Sequence, residues 1–330
     1  MTIRRICPIV LVVVLAILVV NIRGYAAQPT RPFKIGALTV SWGPTLSIVG
    51  LRDGLTELGY RENNDFVIGV RFTQGNASEL PAAARDLVRG GVDIIVTSAG
   101  GSATNAARTA TSRIPIVFLG ESDPVGRGLV KSLARPGGNL TGIADLEAEL
   151  VPKKLQIFRE LVPGLKRVLL VYDATNAEAV ERLAVHRNAA LRLGLTLVER
   201  PVRTEDEART VIGAATKNEV DGIFCPRFLS LNVPGLILEF APKQALPTMF
   251  DEAYFVERGA LVSYSADSYQ LGRQAARLVD KIRKGTKPAD IPVEQPTRFK
   301  LVINGKTAKA LGLKIPQSLL IMADKVIEQK

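Results

Sequence analysis

The stretch Val92-Asp93-Ile94-Ile95-Val96-Thr97-Ser98-Ala99-Gly100-Gly101-Ser102-Ala103-Thr104 contains a short apolar run followed by small and polar residues. The run at residues 92–97 predicts a buried strand, and residues 102–111 predict a helix. A further apolar run at residues 114–119 predicts another strand directly after this helix. Strands that are separated by single helices pair in parallel through right-handed crossovers, so this stretch predicts half of an α/β domain.

The same alternation continues on both sides of this stretch. Towards the amino terminus it predicts strands at residues 33–38 and 66–72 and helices at residues 44–58 and 79–89. Towards the carboxyl terminus the pattern starts again, with strands at residues 166–172, 195–200, 220–225 and 246–250 and helices at residues 177–193 and 204–217. We therefore predict an α/β fold with two Rossmann-like parallel-sheet lobes in series, joined around the Pro- and Gly-rich residues 135–146.

A third portion is too short to form a domain of its own. It contains a predicted strand at residues 260–264, a helix at residues 268–284 and a strand at residues 298–303. This portion must complete the two lobes, so we expect the chain to cross between them more than once. The predicted first lobe comprises residues 28–142 plus about 265–285, and the second comprises residues 143–264 plus about 286–330.

The first 27 residues have the pattern of a secretory signal peptide. Arg4 and Arg5 precede an unbroken apolar run at residues 9–20, and Tyr25-Ala26-Ala27 offers a small-residue cleavage site. The apolar run is short for a membrane span, which needs roughly 20 residues. We expect an exported, periplasmic protein, with an uncleaved membrane anchor as the alternative.

Composition and charge exclude several classes of function. The 330 residues are 47% hydrophobic and 23% charged, which excludes a disordered or low-complexity chain. The formal net charge is +11, but basic and acidic residues alternate, as they do at residues 200–207, so a nucleic-acid partner is not predicted. The chain has two cysteines and one histidine, which argues against a zinc site. We predict no metal and no cofactor, and we expect Cys225 to be a small buried residue.

The sequence lacks the motifs of common α/β enzymes, so we predict a protein that is not an enzyme. Gly126-Arg127-Gly128 is followed by Lys131 where a dinucleotide-binding loop has its third glycine. Gly305-Lys306-Thr307 resembles the end of a phosphate-binding loop, but Lys300 stands at the position of the first glycine. His186 is the single histidine and lies inside a predicted helix, which argues against a Ser-His-acid triad.

Polar residues collect at the carboxyl ends of the predicted strands, where parallel sheets bind ligands. Small residues at positions 98–104 let a ligand approach the backbone, and the free N–H groups of the following helix suit a carboxylate. For any single loop, helix capping is the favoured explanation. Six such loops in two lobes nevertheless favour a ligand cleft: Ser41-Trp42, residues 98–102, residues 121–124, residues 173–176, residues 226–228 and Asp251-Glu252.

Several longer segments match the pattern of one protein family. They are residues 50–60, 93–98, 114–117 and 123–126, Ser132-Leu133-Ala134-Arg135-Pro136-Gly137-Gly138-Asn139-Leu140-Thr141-Gly142, Pro288-Ala289-Asp290-Ile291-Pro292-Val293-Glu294-Gln295-Pro296-Thr297, and Lys309-Ala310-Leu311-Gly312-Leu313. With these segments in this order, the chain resembles the periplasmic solute-binding proteins of ABC transporters, in the tryptophan/tyrosine-transport-like family. The resemblance covers nearly all of the chain after residue 27.

The resemblance implies a Venus-flytrap fold of the type I periplasmic-binding-protein class, with three crossovers between the lobes. It implies a small solute, an amino acid or a similar carboxylate, that is captured between the lobes and delivered to an ABC permease. We also expect a monomer, with lobe hinges near residues 140–144 and 264–267. Two other classes stay open: a sensor domain that docks a receptor and, as the weaker alternative, an α/β enzyme.

The resemblance also implies which residues bind the solute. In relatives the ligand carboxylate lies near the loop equivalent to residues 98–101. Carried over by position, the candidate residues are Ser98, Ala99, Ser122, Asp123 and Asn176, with Ser41, Trp42, Gly100, Asp173, Arg227, Asp251 and Tyr264 as plausible neighbours.

This chain departs from the family pattern in two of its loops. Asp173-Ala174-Thr175-Asn176 replaces Asn-Pro-x-Asn, and Pro226-Arg227 replaces a Pro-Asp turn. Arg227 suits an anionic group and Asp173 suits an ammonium group, which leaves the identity of the solute open. Trp42 fits either a stacking surface for an apolar ligand or core packing.

Overall fold

A computed structural model describes residues 31–41, 45–98, 101–226 and 230–328 of the protein. The predicted signal peptide at residues 1–27 lies outside these ranges, as do the candidate site residues Trp42, Ala99, Gly100 and Arg227. Within the described ranges, no helix is both long enough and apolar enough to cross a membrane.

The first lobe is built on a five-stranded parallel sheet with strand order β2-β1-β3-β4-β5. Its elements are β1 (Phe33–Thr39), α1 (Leu46–Glu57), β2 (Phe66–Phe72), α2 (Leu80–Arg89), β3 (Ile94–Ser98), α3 (Gly101–Ala110), β4 (Ile116–Glu121) and β5 (Leu140–Ala144). Every residue of β3 and β4 is buried, as expected for central strands that helices cover on both faces. The strands and helices predicted for this lobe are therefore confirmed, to within a few residues at their ends.

The second lobe is built on a seven-stranded sheet with strand order β12-β11-β10-β9-β8-β6-β7. Its elements up to β9 are α4 (Glu147–Leu161), β6 (Arg167–Asp173), α5 (Ala177–Arg192), β7 (Thr196–Val202), α6 (Glu205–Ala214), β8 (Gly222–Cys225), α7 (Val233–Phe240) and β9 (Thr248–Phe250). The remaining elements of this lobe are α8 (Ala253–Val256), β10 (Val262–Ala266), β11 (Phe299–Asn304), α10 (Gly305–Ala310), α11 (Gln317–Met322) and β12 (Lys325–Ile327). Helix α9 (Ser268–Arg283) lies between β10 and β11 in the chain, and its buried apolar residues belong to the core of the first lobe. Strands β6 to β10 are mutually parallel, whereas β11 runs antiparallel to β10.

The chain crosses between the lobes three times, as the resemblance implies. The first crossover follows β5, the second follows β10, and the third precedes β11. The second and third crossovers lie side by side: the backbone N–H of Asp267 in one donates to the carbonyl oxygen of Arg298 in the other at 3.0 Å. Residues 140–144, which were expected to form a hinge, are strand β5. All five residues are buried and the strand pairs with β4, so the first crossover begins only after Ala144.

One part of the predicted lobe division is corrected by these contacts. Residues 288–296, which were assigned to the second lobe, pack on the first sheet. The backbone N–H of Ala144 donates to the carbonyl oxygen of Glu294 at 2.8 Å. The backbone N–H of Glu294 donates to the carbonyl oxygen of Gly142 at 2.9 Å. Val293 joins the apolar core of the first lobe, so burial of this side chain fixes the segment there. The other boundaries of the two lobes stay a prediction.

Helix α9 returns from the second lobe and packs closely against α1 of the first lobe. Close approach is possible because glycines lie at the contact: a Cβ atom on Gly50 would overlap the carbonyl oxygen of Tyr269, and one on Gly272 would overlap that of Ser47. The hydroxyl of Tyr269 also donates to Asp53 at 3.0 Å. The contact of these two helices therefore holds the second crossover against the first lobe.

His186 and Cys225 are both buried in the second lobe. His186 lies on α5, with Nδ1 2.8 Å from the carbonyl oxygen of Arg182 and its ring 5.5 Å from that of Phe224. Cys225 ends β8, and burial raises the pKa of its thiol far above the usual range. Its role as a small buried residue is confirmed.

Candidate functional site

Most of the described candidate residues lie at the carboxyl ends of adjacent parallel strands. In the first lobe Ser98 ends β3 and Ser122 directly follows β4, and these two strands are neighbours. In the second lobe Asp173 ends β6 and Asp251 directly follows β9, with β8 between them. These residues form the two walls of the candidate cleft, because carboxyl ends of parallel strands share one edge of a sheet.

A side-chain contact joins these two edges. Arg182 lies on α5 of the second lobe, and its Nη2 donates to the hydroxyl of Ser122 in the first lobe. The candidate residues of the two lobes therefore face each other across one cleft.

Ser98 provides a buried polar group at the amino terminus of α3. The residue is only 4% exposed, and within the described part of the chain its hydroxyl has no hydrogen-bond partner. Thr97 and Thr104 share a hydrogen bond of 2.9 Å between their hydroxyls, which ties β3 to the first turn of α3. A helix leaves its first four N–H groups without partners inside the helix, so this end suits an anion.

Arg127 places a guanidinium at the same helix end, where it balances the charge of a buried carboxylate. Its Nη1 lies 3.3 Å from Oε1 of Glu121, whose side chain is 1% exposed at the end of β4. The guanidinium also lies beside Gly101, where a Cβ atom would come within 2.6 Å of it. The sequence analysis did not identify Arg127 as a site residue, because Gly126-Arg127-Gly128 was considered only as a dinucleotide-binding loop. The signal that could have identified it is an arginine between two glycines after the end of a strand.

Asp123 and Ser41 have local roles in their loops. Oδ1 of Asp123 accepts a hydrogen bond from the backbone N–H of Gly126 at 2.9 Å, and the residue has a positive φ of 40°. Asp123 is exposed, so its carboxylate both closes the loop and faces solvent. The backbone N–H of Ser41 donates to Oγ1 of Thr39 at 3.2 Å, which orients the loop after β1.

Asp173 and Asn176 organise the loop between β6 and α5. Oδ1 of Asp173 accepts from the backbone N–H and the hydroxyl of Thr175, at 2.8 and 2.6 Å. The side chain of Asn176 accepts from the backbone N–H of Ala179 at 3.3 Å in the first turn of α5. Both contacts are of the capping type that the sequence analysis weighed against ligand binding.

Asp251 forms a buried ion pair with Lys154. The sequence analysis did not identify Lys154 as a site residue. The side chains are 3% and 1% exposed, and Nζ of Lys154 contacts Oδ1 of Asp251. Lys154 lies on α4 three residues after Val151 and four before Phe158, both of which are fully buried. A charged residue on the apolar face of a helix was the signal that could have identified it.

Tyr264 lies in β10 one residue beyond Ser263, which pairs with Phe250, so Tyr264 is level with Asp251 on the neighbouring strand. Its ring stacks on that of Phe299 with 6.1 Å between centroids, and it packs against the apolar core of the second lobe. Burial and, to a smaller extent, the charge of Asp324 raise the pKa of its hydroxyl. The described contacts thus give Tyr264 a packing role.

Two cavities lie away from the cleft. They have volumes of about 300 and 350 Å³. Their lining residues precede or begin strands β6, β8, β9 and β10, belong to α7 or α10, or directly follow α10. Both therefore lie toward the amino-terminal edge of the second sheet, opposite to the candidate site. Among the residues with described positions, no three His, Cys, Asp or Glu side chains are grouped as a metal site would require.

The chain is similar to known proteins over most of its length. A family model described as ABC transporter substrate binding protein matches residues 41–327. A tyrosine-binding protein of Clostridioides difficile is 27% identical over 266 residues, which are 80% of this chain and 76% of that protein.

Two solved structures are similar over most of the chain. A conserved domain protein from Vibrio cholerae is 30% identical, with a TM-score of 0.81, and the match covers 90% of this chain and 100% of that one. An ABC domain from Streptococcus pneumoniae in complex with L-Trp is 29% identical, with the same TM-score and the same coverage. These structures confirm the predicted α/β architecture of two parallel-sheet lobes.

Proposed function

The chain belongs to the family of ABC transporter substrate-binding proteins, and from this premise we propose that it binds an aromatic amino acid between its two lobes. L-Tryptophan and L-tyrosine are the first candidates, because one relative is named a tyrosine-binding protein and one similar structure holds L-Trp. The ligand adds contacts to both lobes only when the cleft is closed, so binding shifts the population toward the closed state.

The observation that carries this proposal is the buried hydroxyl of Ser98. A buried polar group without a hydrogen bond costs free energy, and a ligand carboxylate at the amino terminus of α3 would supply the bond. Arg127 lies beside the first residue of the same helix and offsets the charge of the buried Glu121, so that an anion there does not face an uncompensated carboxylate. We assign the carboxylate of the amino acid to this helix end.

The second lobe supplies acidic groups for the ligand's ammonium. Asp173 is the candidate, because Thr175 occupies only one of its two carboxylate oxygens with the hydrogen bonds described above. Asp251 is already engaged by Lys154, so it is the weaker candidate.

Export and delivery complete the proposal. The signal-like residues 1–27 would direct the chain to the periplasm, where it would act as a monomer and pass its solute to an ABC permease. It would carry out no chemical step. The family assignment and the absence of common catalytic motifs from the sequence support this part of the proposal.

A thermal-shift measurement tests the ligand class. L-Tryptophan, L-tyrosine and L-phenylalanine are compared with nucleosides, sugars and small dicarboxylates on the purified protein. At a concentration one hundred times its Kd, a ligand that binds only the folded state stabilises it by about 2.7 kcal/mol. We expect a rise of several degrees in Tm with at least one aromatic amino acid. A rise with another class of compound alone would contradict the proposed solute.

Replacing Ser98 with alanine tests the assigned carboxylate position. Hydrogen bonds to charged groups contribute about 1.5–3 kcal/mol, so we expect the Kd for the bound amino acid to rise about tenfold or more. The stability of the ligand-free protein should stay the same or increase, since the substitution removes a buried hydroxyl that has no described partner. Isothermal titration and urea denaturation measure the two effects.

Ser263 provides a matched control for this substitution. It lies in β10, is fully buried, and its hydroxyl also has no hydrogen-bond partner among the described residues. Ser263→Ala should therefore resemble Ser98→Ala in stability but leave the Kd unchanged. Equal effects of the two substitutions on the Kd would contradict the assignment of Ser98.

A further inference from the structure

Arg182 is placed to link the two lobes. It lies on α5, whose inward residues Ala179, Leu183 and His186 are buried against the second sheet. The carbonyl oxygen of Arg182 is 2.8 Å from Nδ1 of His186, which fixes this turn of the helix. Helical side chains lean toward the amino terminus of their helix, and α5 begins at the cleft edge next to Asp173. The guanidinium is therefore directed to the cleft.

The first-lobe partner of Arg182 lies beside the assigned carboxylate position. Nη2 of Arg182 donates to the hydroxyl of Ser122, which directly follows β4. Strand β4 is the neighbour of β3, which ends at Ser98. Thr97 pairs with Phe118, so Ser122 lies a few residues beyond the position of β4 that is level with Ser98, on the cleft side. A guanidinium bound at Ser122 therefore lies at the same cleft edge as the end of β3. Its planar fork of N–H donors can bind a hydroxyl and a carboxylate at the same time.

We propose that Arg182 is the second-lobe residue that binds the ligand's carboxylate, so that this one group contacts both lobes. The inference rests on the proposed function, because it needs an amino acid in the cleft. The helix end at α3 binds the carboxylate from the first lobe, and Arg182 reaches it only when the lobes approach each other. Recognition of the carboxylate then contributes directly to closure.

The test compares a charged with a neutral ligand. Isothermal titration gives the Kd of L-tryptophan and of L-tryptophanamide, which lacks the negative charge, for the wild type, Arg182→Gln and Arg182→Lys. For Arg182→Gln we expect a rise of about tenfold to hundredfold in the Kd of L-tryptophan, and less than about threefold for the amide. Arg182→Lys should lie between the wild type and Arg182→Gln for L-tryptophan, because lysine keeps the charge but loses the fork.

Arg187→Gln is the matched control on the same helix. Arg187 is exposed and pairs with Glu199 at 2.7 Å, on β7 of its own lobe. This variant should leave both Kd values unchanged. Thermal unfolding of each variant without ligand shows whether the fold is retained.

Two results would overturn the inference while the proposed function stands. One is an unchanged Kd for L-tryptophan in Arg182→Gln. The other is an equal loss for L-tryptophan and its amide, which would mean that Arg182 acts on lobe closure alone through Ser122. Failure of the wild type to bind any aromatic amino acid would instead refute the proposed function, and the inference with it.

Discussion

Replacing Lys154 with methionine is expected to lower the free energy of unfolding by about 3–5 kcal/mol, the usual range when one partner of a buried ion pair is removed. Both side chains of the Lys154–Asp251 pair are almost completely buried. Methionine matches the length of the lysine side chain and packs well in a core, so the loss of the charge dominates the effect. The measurement is equilibrium urea denaturation, followed by circular dichroism.

The double variant separates the charge effect from packing. Replacing both members of a buried pair by apolar residues of similar size is often close to neutral. Lys154→Met combined with Asp251→Leu should therefore recover a large part of the stability that Lys154→Met loses. Lys153→Met is the control, because Lys153 is the preceding residue on α4 and is only partly buried. A double variant as unstable as the single one, or a control as damaging as Lys154→Met, would contradict this account.

The order of strands and helices could be predicted because local periodicity records it. The predicted helix at residues 268–284 is α9 at Ser268–Arg283, and the predicted strand at residues 92–97 is β3 at Ile94–Ser98. Each element buries an apolar face whose spacing is fixed by its own geometry. No knowledge of the partner element is needed for such a prediction.

Contacts between distant residues could not be predicted in this way. Lys154 and Asp251 are 97 residues apart, and Arg182 and Ser122 are 60 apart. Both pairs depend on how the chain returns to the cleft edge after each crossover. For the same reason the segment 288–296 was assigned to the wrong lobe: its Pro-rich sequence indicates a loop but not which sheet it lies on.

The candidate site was predicted as an edge of the sheets but not as a set of interactions. Sequence reasoning located Ser98, Asp173 and Asn176 correctly at strand ends and helix starts. It could not decide between capping and ligand binding, because both use the same side chains at the same positions. The hydrogen bonds of Asp173 and Asn176 have capping geometry, whereas the buried hydroxyl of Ser98 has no described partner. That difference is what singles out Ser98.

Replacing Gly272 with alanine is expected to destabilise the protein by about 1–3 kcal/mol, although alanine favours helices over glycine by about 1 kcal/mol. A Cβ atom at this position would overlap the carbonyl oxygen of Ser47 and lie 2.6 Å from the backbone N of Leu51. Both are backbone atoms of α1, so the overlap can be relieved only by moving α9 away from α1. Thermal unfolding should show a decrease in Tm of several degrees.

Gly213→Ala on α6 is the matched control, because a Cβ atom there would meet only the ring of Phe240, at 3.5 Å or more. Its stability should be unchanged or higher, by up to about 1 kcal/mol. Gly50 meets the Tyr269 carbonyl oxygen in the same helix contact, so Gly50→Ala with Gly272→Ala should cost less than the sum of the two single effects. Once one Cβ atom has separated the helices, the second finds its space already open. Strict additivity would show that the two glycines do not share one contact.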